Sequence, residues 1–146
     1  MNETFQSCLT KQSEIKKLFS SCKTAEEKYQ KIIEMGRALP SFPEEWKREE
    51  NLVAGCQSQV FLHVELKENK LFFYASSEAL ISAGLVALLL AAYHMEPPEA
   101  VIGCPPTFLE ELGIQTALTP GRSHGLSSIL LRMKREAVKF LLTHKS

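Results

Sequence analysis

The sequence has no excess of either charge: 17 Lys and Arg stand against 17 Asp and Glu in 146 residues. With no net field to draw the chain to nucleic acid or to an anionic membrane, binding has to come from local patches, and neither partner is expected. Cysteine is scarce and scattered. Cys8, Cys22, Cys56 and Cys104 form no C-x-x-C pair and have no histidine pair beside them, which argues against zinc, so no metal is expected. The longest apolar run, Ala79 to Tyr93, is broken by Ser82 and Gly84 and falls short of the roughly twenty residues a bilayer needs. It reads as a buried helix. The first residues, Met-Asn-Glu-Thr, lack the basic and then apolar order of a secretory leader, so the expected setting is a reducing cytoplasm with free thiols.

What is present suits one domain, 1–146, with a core of its own and a flexible tail over about residues 1–11. Ile15, Leu18 and Phe19 share one helical face, which predicts a short helix over 12–20. Thr24 and Glu27 form a capping box for a second helix, which should stop near Ala38 because Pro40 disfavours helical geometry at Leu39. From Pro40 to Asn51 no apolar period survives, so a surface loop with at most one helical turn at 43–48 is expected. Trp46 there either clamps the loop to the core or belongs to a charged segment that meets a partner.

Val60, Leu62, Val64 and Leu66 alternate with Phe61, His63 and Glu65, and Leu71 to Ala75 returns after the polar turn Lys67-Glu68-Asn69-Lys70. A hairpin follows, widened by a short third strand at 51–54, with His63 solvated on its polar face. The predicted fold is α/β (α+β): a two- to three-stranded antiparallel sheet flanked by five to six helices. Ser77 is read as the cap of the Ala79–Tyr93 helix. Short helices are expected at 97–102 and from a Thr107 cap to Leu112, with Cys104 between them as packing. The segment Thr119 to Gly125 leads into a last helix with an apolar stripe at Leu126, Ile129, Leu130, Met133, Ala137, Phe140 and Leu141, and with Arg132, Lys134, Arg135 and Lys139 outside.

One stretch looks chemical. In Gly55-Cys56-Gln57-Ser58-Gln59-Val60, Gly55 permits the turn that projects the next side chain, and Cys56 stands at the entrance to the strand. Gln57, Ser58 and Gln59 offer amide and hydroxyl groups to a sulfur anion or to the loop, but none can deprotonate a thiol at neutral pH. The residues alone leave two readings: packing, which is common for free cysteine, or exchange with a sulfur delivered from elsewhere.

Gly-Cys-Gln-Ser-Gln-Val at 55–60 resembles the active-cysteine signature of the SufE family, sulfur acceptors that partner PLP-dependent cysteine desulfurases. Glu27-Lys28-Tyr29, Gly36, Leu39-Pro40, Asn51, Ser77-Glu78-Ala79, Gly84-Leu85, Leu118-Thr119-Pro120, Arg122-Ser123 and Gly125-Leu126 extend the likeness from about residue 14 to 140. Departures are Phe61 where the family commonly has tryptophan, Ala83 for lysine, Gly121 for serine, and His124 for asparagine or glutamine. These put fine partner contacts in doubt, and not the sulfur chemistry.

The resemblance implies a SufE/NifU-like fold and an accessory protein that is not a stand-alone enzyme. Its Cys56 takes persulfide sulfur from a SufS- or CsdA-like cysteine desulfurase, stimulates that enzyme, and hands the sulfur to an iron–sulfur scaffold. No cofactor is implied on this chain, since PLP belongs to the partner. Gly55, Gln57, Ser58, Gln59 and Arg122 are the implied supporting residues, and Glu78 and Trp46 are candidates for partner contact. The chain is expected to be a monomer or weak homodimer. Arg122 is either a loop anchor or a neighbour of Cys56 that holds anionic sulfur. Val53 and Val60 are expected to shield the thiol. Two rival readings remain: a cysteine hydrolase using His63, His94 or His124, and a thiol-independent adaptor.

Overall fold

The computed structural model describes residues 3–143. Seven helices and one hairpin follow in order among these residues: α1 (Glu3–Leu18), α2 (Ala25–Arg37), β1 (Phe61–Lys67), β2 (Lys70–Ser76), α3 (Leu80–Tyr93), α4 (Pro98–Gly103), α5 (Thr107–Glu111), α6 (Ile114–Ala117) and α7 (Pro120–Thr143). The α+β expectation holds, with two strands and one more short helix than foreseen.

α3 carries no polar face, and the fold surrounds it accordingly. All but Leu80 and Ala91 of its residues are buried. α2 crosses it in backbone contact: a β-carbon on Gly36 would stand 2.5 Å from the Gly84 nitrogen, and one on Gly84 would overlap the Ile32 carbonyl. α2 starts at the expected capping box, with the Glu27 N–H donating to the Thr24 hydroxyl and the Thr24 N–H to the Glu27 carboxylate, both 3.1 Å.

α1 overturns two expectations. Residues 3–11, expected as a tail, are helical, and the helix ends at Leu18 where 12–20 was predicted. Its inward face is Cys8, Gln12 and Ile15, continued by Phe19 just past its end. Over its first half this face offers only a cysteine and a polar glutamine, which hid the period. Gln12 is tolerated because its amide donates to the Pro105 carbonyl (3.0 Å) and accepts from the Phe108 N–H (3.2 Å) and the Thr107 hydroxyl (3.3 Å). Thr107 is therefore the first residue of α5, bonded to α1, and not its cap.

In the hairpin, Phe61 pairs with Ser76 and Lys67 with Lys70. Glu68 and Asn69 both have positive φ, as a type I′ turn requires. Leu62, Leu71, Phe73 and Ala75 are buried. His63 is not freely solvated: Trp46 stacks on its ring at 3.7 Å, clamping the 40–51 segment to the sheet. That segment holds two single helical turns, Glu44–Trp46 and Glu49–Asn51. The third strand at 51–54 shrinks to one bridge, Leu52 to Phe61, because the Leu52 carbonyl is taken by Arg132 of α7 at 2.8 Å.

Ser77 does not cap α3. Its hydroxyl donates to the Gln59 carbonyl (2.8 Å) and accepts from the Ala79 N–H (3.3 Å), joining the end of the hairpin to the cysteine loop. The Thr119 motif expected to precede the last helix is already its first turn. The Thr119 hydroxyl accepts from the Arg122 N–H at 3.4 Å, and Leu126, Ile129, Met133 and Ala137 face the core. No helix among the described residues is long and apolar enough to cross a membrane.

Candidate functional site

Cys56 lies where the loop after Gly55, the start of α3 and the first turns of α7 converge. Gly55 makes this possible in two ways. Its φ is +90°, and a β-carbon there would stand 2.5 Å from the Ser128 hydroxyl oxygen and 3.5 Å from His124 Nε2. The loop is thereby pressed onto α7, and the next side chain turns inward.

The half-buried thiol borders a void of about 10 Å³ lined by Cys56, Gln57, Val60, Ser82, Leu85, Gly121, Arg122, Gly125 and Ile129. Its hydrogen-bond partner is the Gly125 carbonyl, at 3.9 Å. Burial pushes the thiol pKa up, because desolvation disfavours the anion. The surroundings therefore favour the protonated thiol over the thiolate.

The supporting residues divide. Gln57 lines the same void, its amide lying over Gly121, where a β-carbon would meet it at 2.5 Å. Arg122 is also there, with a guanidinium that donates to the Ser82 hydroxyl at 3.3 Å. Ser58 and Gln59 do not join them. They line a neighbouring groove of about 620 Å³ with Glu44, Lys47, Phe61, Ser76, Ser77 and Glu78. The reason is the Gln59–Ser77 hydrogen bond, which pulls the chain across to the hairpin before Val60 turns back into the core. Of the two partner candidates, Glu78 lines this groove, while Trp46 faces the outer side of the sheet. Val60 lines the thiol's void, and Val53 is buried outside it.

No histidine among the described residues is hydrogen-bonded to the thiol. His63 is held by Trp46 and by Glu65 at 3.0 Å, and His94 accepts the Phe73 N–H at 3.1 Å at the far end of α3. His124 flanks Gly55 on the exposed side of α7.

Three contributors had no individual signal in the sequence. Ser82 and Ser128 are ordinary serines until α3 and α7 bring them to the loop. Arg132, read as an outward residue, instead reaches across to the loop's approach, donating to the Leu52 carbonyl at 2.8 Å and the Glu50 carbonyl at 2.6 Å. Glu136 holds its Nε at 3.0 Å.

A family model described as SufE, Fe-S metabolism associated domain, matches residues 13–137, an interval that takes in every residue of this site. The chain belongs to the SufE family. An uncharacterized SufE-like protein of Synechocystis sp. is 34% identical over 115 residues, covering 79% of this chain and 72% of that one. The solution structure of a hypothetical protein from Thermus thermophilus has the same fold: its TM-score is 0.75 at 29% identity, over 90% of this chain and 96% of that one. Membership of the SufE family ties this chain to iron–sulfur metabolism.

Proposed function

We propose that Cys56 is a sulfur acceptor that takes persulfide sulfur from a PLP-dependent cysteine desulfurase and passes it to an iron–sulfur scaffold. The Cys56 thiolate attacks the terminal sulfur of the donor's persulfide. The donor's S–S bond breaks, its cysteine leaves as a thiolate, and Cys56 becomes a persulfide. A second thiolate, on the scaffold, repeats the exchange. Every step is thiol–disulfide chemistry, governed by thiolate fraction, leaving group and access. Removing sulfur from the desulfurase frees its cysteine for another turnover, which is how a protein without catalytic machinery of its own stimulates an enzyme.

The observation that carries this reading is the half-buried thiol in a void beside Arg122, with no histidine among the described residues hydrogen-bonded to it. A hydrolase would need a histidine hydrogen-bonded to the nucleophile. A carrier gains instead from shielding, because a persulfide exposed to solvent is lost to oxidants and passing thiols. The deciding experiment is to incubate the protein with a cysteine desulfurase and cysteine and then map the products by peptide mass. One added sulfur on the Cys56 peptide, absent in Cys56→Ser together with stimulation of the desulfurase, is expected. An unmodified Cys56 peptide would sink the proposal, and stimulation that survives Cys56→Ser would move the role to a thiol-independent adaptor.

A further inference from the structure

α7 departs from the rest of the chain in charge. Basic and acidic residues balance at 17 each overall, yet this helix carries Arg122, Arg132, Lys134, Arg135 and Lys139 against Glu136 alone. It is also apolar on two sides. Opposite the buried face of Leu126, Ile129, Met133 and Ala137, it exposes Leu131 (50%), Val138 (41%) and Leu142 (71%). At 100° per residue these three fall within an arc of about 40°, with Arg135 at its edge and Lys134 and Lys139 on either side.

The stripe leads to the cysteine loop. His124 and Ser128 lie on the same side of the helix, about two turns and one turn before Leu131, where they flank Gly55. From Ser128 to Leu142 the surface runs about 20 Å. Arg132 fastens the carbonyls of Glu50 and Leu52 alongside it, so the cysteine loop and the stripe form one surface. An apolar strip edged with cations selects a partner face that is apolar along its middle and acidic at its rims. Three aliphatic side chains without an interfacial aromatic make a poor membrane anchor. A surface that begins beside the cysteine loop calls for a partner that brings sulfur to that loop.

We propose that the exposed stripe of α7 is the docking surface for the cysteine desulfurase that loads Cys56, and that it engages an acidic, partly apolar face of that enzyme. This rests on the sulfur-acceptor reading above. Two variants test it, one with Lys134→Glu, Arg135→Glu and Lys139→Glu, the other with Leu131→Gln and Val138→Gln. Each is checked for an unchanged circular dichroism spectrum and then assayed for Cys56 persulfide formation against desulfurase concentration. Both should need about tenfold more desulfurase for half-maximal loading, and the wild type should lose its advantage over the charge variant between about 50 and 300 mM salt.

Loading by inorganic polysulfide needs no docking and isolates the reactivity of the thiol. A loss there as large as the loss with desulfurase would overturn the proposal. Equal loading of wild type and variants by desulfurase would overturn it too, and would leave the acceptor reading standing. A wild type that gains no sulfur at all marks instead the failure of the acceptor reading. If the wild type binds vesicles of anionic phospholipid, or dimerises in sedimentation, and the variants lose that property while loading normally, the stripe belongs to that occupant and not to the desulfurase.

Discussion

Gly55 and Ser128 meet at a distance that leaves no room for a β-carbon: one added at Gly55 would stand 2.5 Å from the Ser128 oxygen, at a φ of +90°. The contact sets the orientation of the cysteine loop. Gly55→Ala should cost about 1–3 kcal/mol through backbone strain and overlap, and it should lift the loop so that Cys56 is alkylated faster than in the wild type. Because Ser128 supplies only the steric part, adding Ser128→Gly should recover some of the loop's closure and not all. Urea unfolding and timed iodoacetamide labelling measure both quantities. Unchanged labelling in Gly55→Ala would mean that the loop's position does not depend on this contact.

Arg132 holds the same loop from the other side. Its planar guanidinium spans two carbonyls, Leu52 at 2.8 Å and Glu50 at 2.6 Å, while Glu136 fixes the third nitrogen at 3.0 Å. A lysine keeps the charge and loses the fork. Arg132→Lys should therefore raise the labelling rate of Cys56 by about tenfold, the equivalent of losing roughly 1.4 kcal/mol from closure. Glu136→Gln, which removes only the orienting carboxylate, should have a smaller effect in the same direction. Equal rates in Arg132→Lys and wild type would show that the two carbonyl bonds do not restrain the loop.

Where chemistry and partner lie close together in the chain, the fold was legible. The Thr24–Glu27 box spans four residues, the hairpin alternates over seven, and α3 is apolar almost throughout, so each announced itself. The first half of α1 did not, because its inward face begins with Cys8 and Gln12, and the groups that satisfy Gln12 are the Pro105, Thr107 and Phe108 atoms more than ninety residues away. The site divides in the same way. Cys56 could be picked out from its immediate neighbours, whereas Ser82, Ser128 and Arg132 acquire their positions only when α3 and α7 pack. Ser77 and Thr107, with the composition of helix caps, were claimed by tertiary partners instead.

The crossing of α2 and α3 offers a sharper test of packing. A β-carbon on Gly84 meets the carbonyl oxygen and carbon of Ile32, which are backbone atoms that cannot swing aside. Gly84→Ala should raise the helix propensity of α3 by about 1 kcal/mol and still destabilise the protein by about 1–3 kcal/mol or more, because the two helices must separate. A denaturation midpoint at or above that of the wild type would show that the helices can part without loss. Ala83→Gly, one residue away, alters helix propensity without this clash and should cost only about 1 kcal/mol.

Alkaline pH should weaken the protein through Cys8. Burial first, and then a hydrogen bond with Cys104, push its thiol up to about 12, against about 8.5 in an unfolded chain. Between those values the folded state keeps a proton that the unfolded state has released, so the slope of stability against pH is negative. The stabilisation is complete below about pH 8.5 and is lost as pH rises toward 12, at about 1.4 kcal/mol per pH unit for one proton. Urea midpoints at several pH values from about 8 to 10 should fall in the wild type and fall less steeply in Cys8→Ala. The slope, and not the absolute stability, is the quantity to compare, because the smaller side chain leaves a cavity at every pH. Cys56 and Tyr93, whose pKa values are also raised by burial, should leave some decline in the variant. Identical slopes in the two proteins would mean that Cys8 ionises as readily in the folded state as in the unfolded one, and that α1 does not bury it.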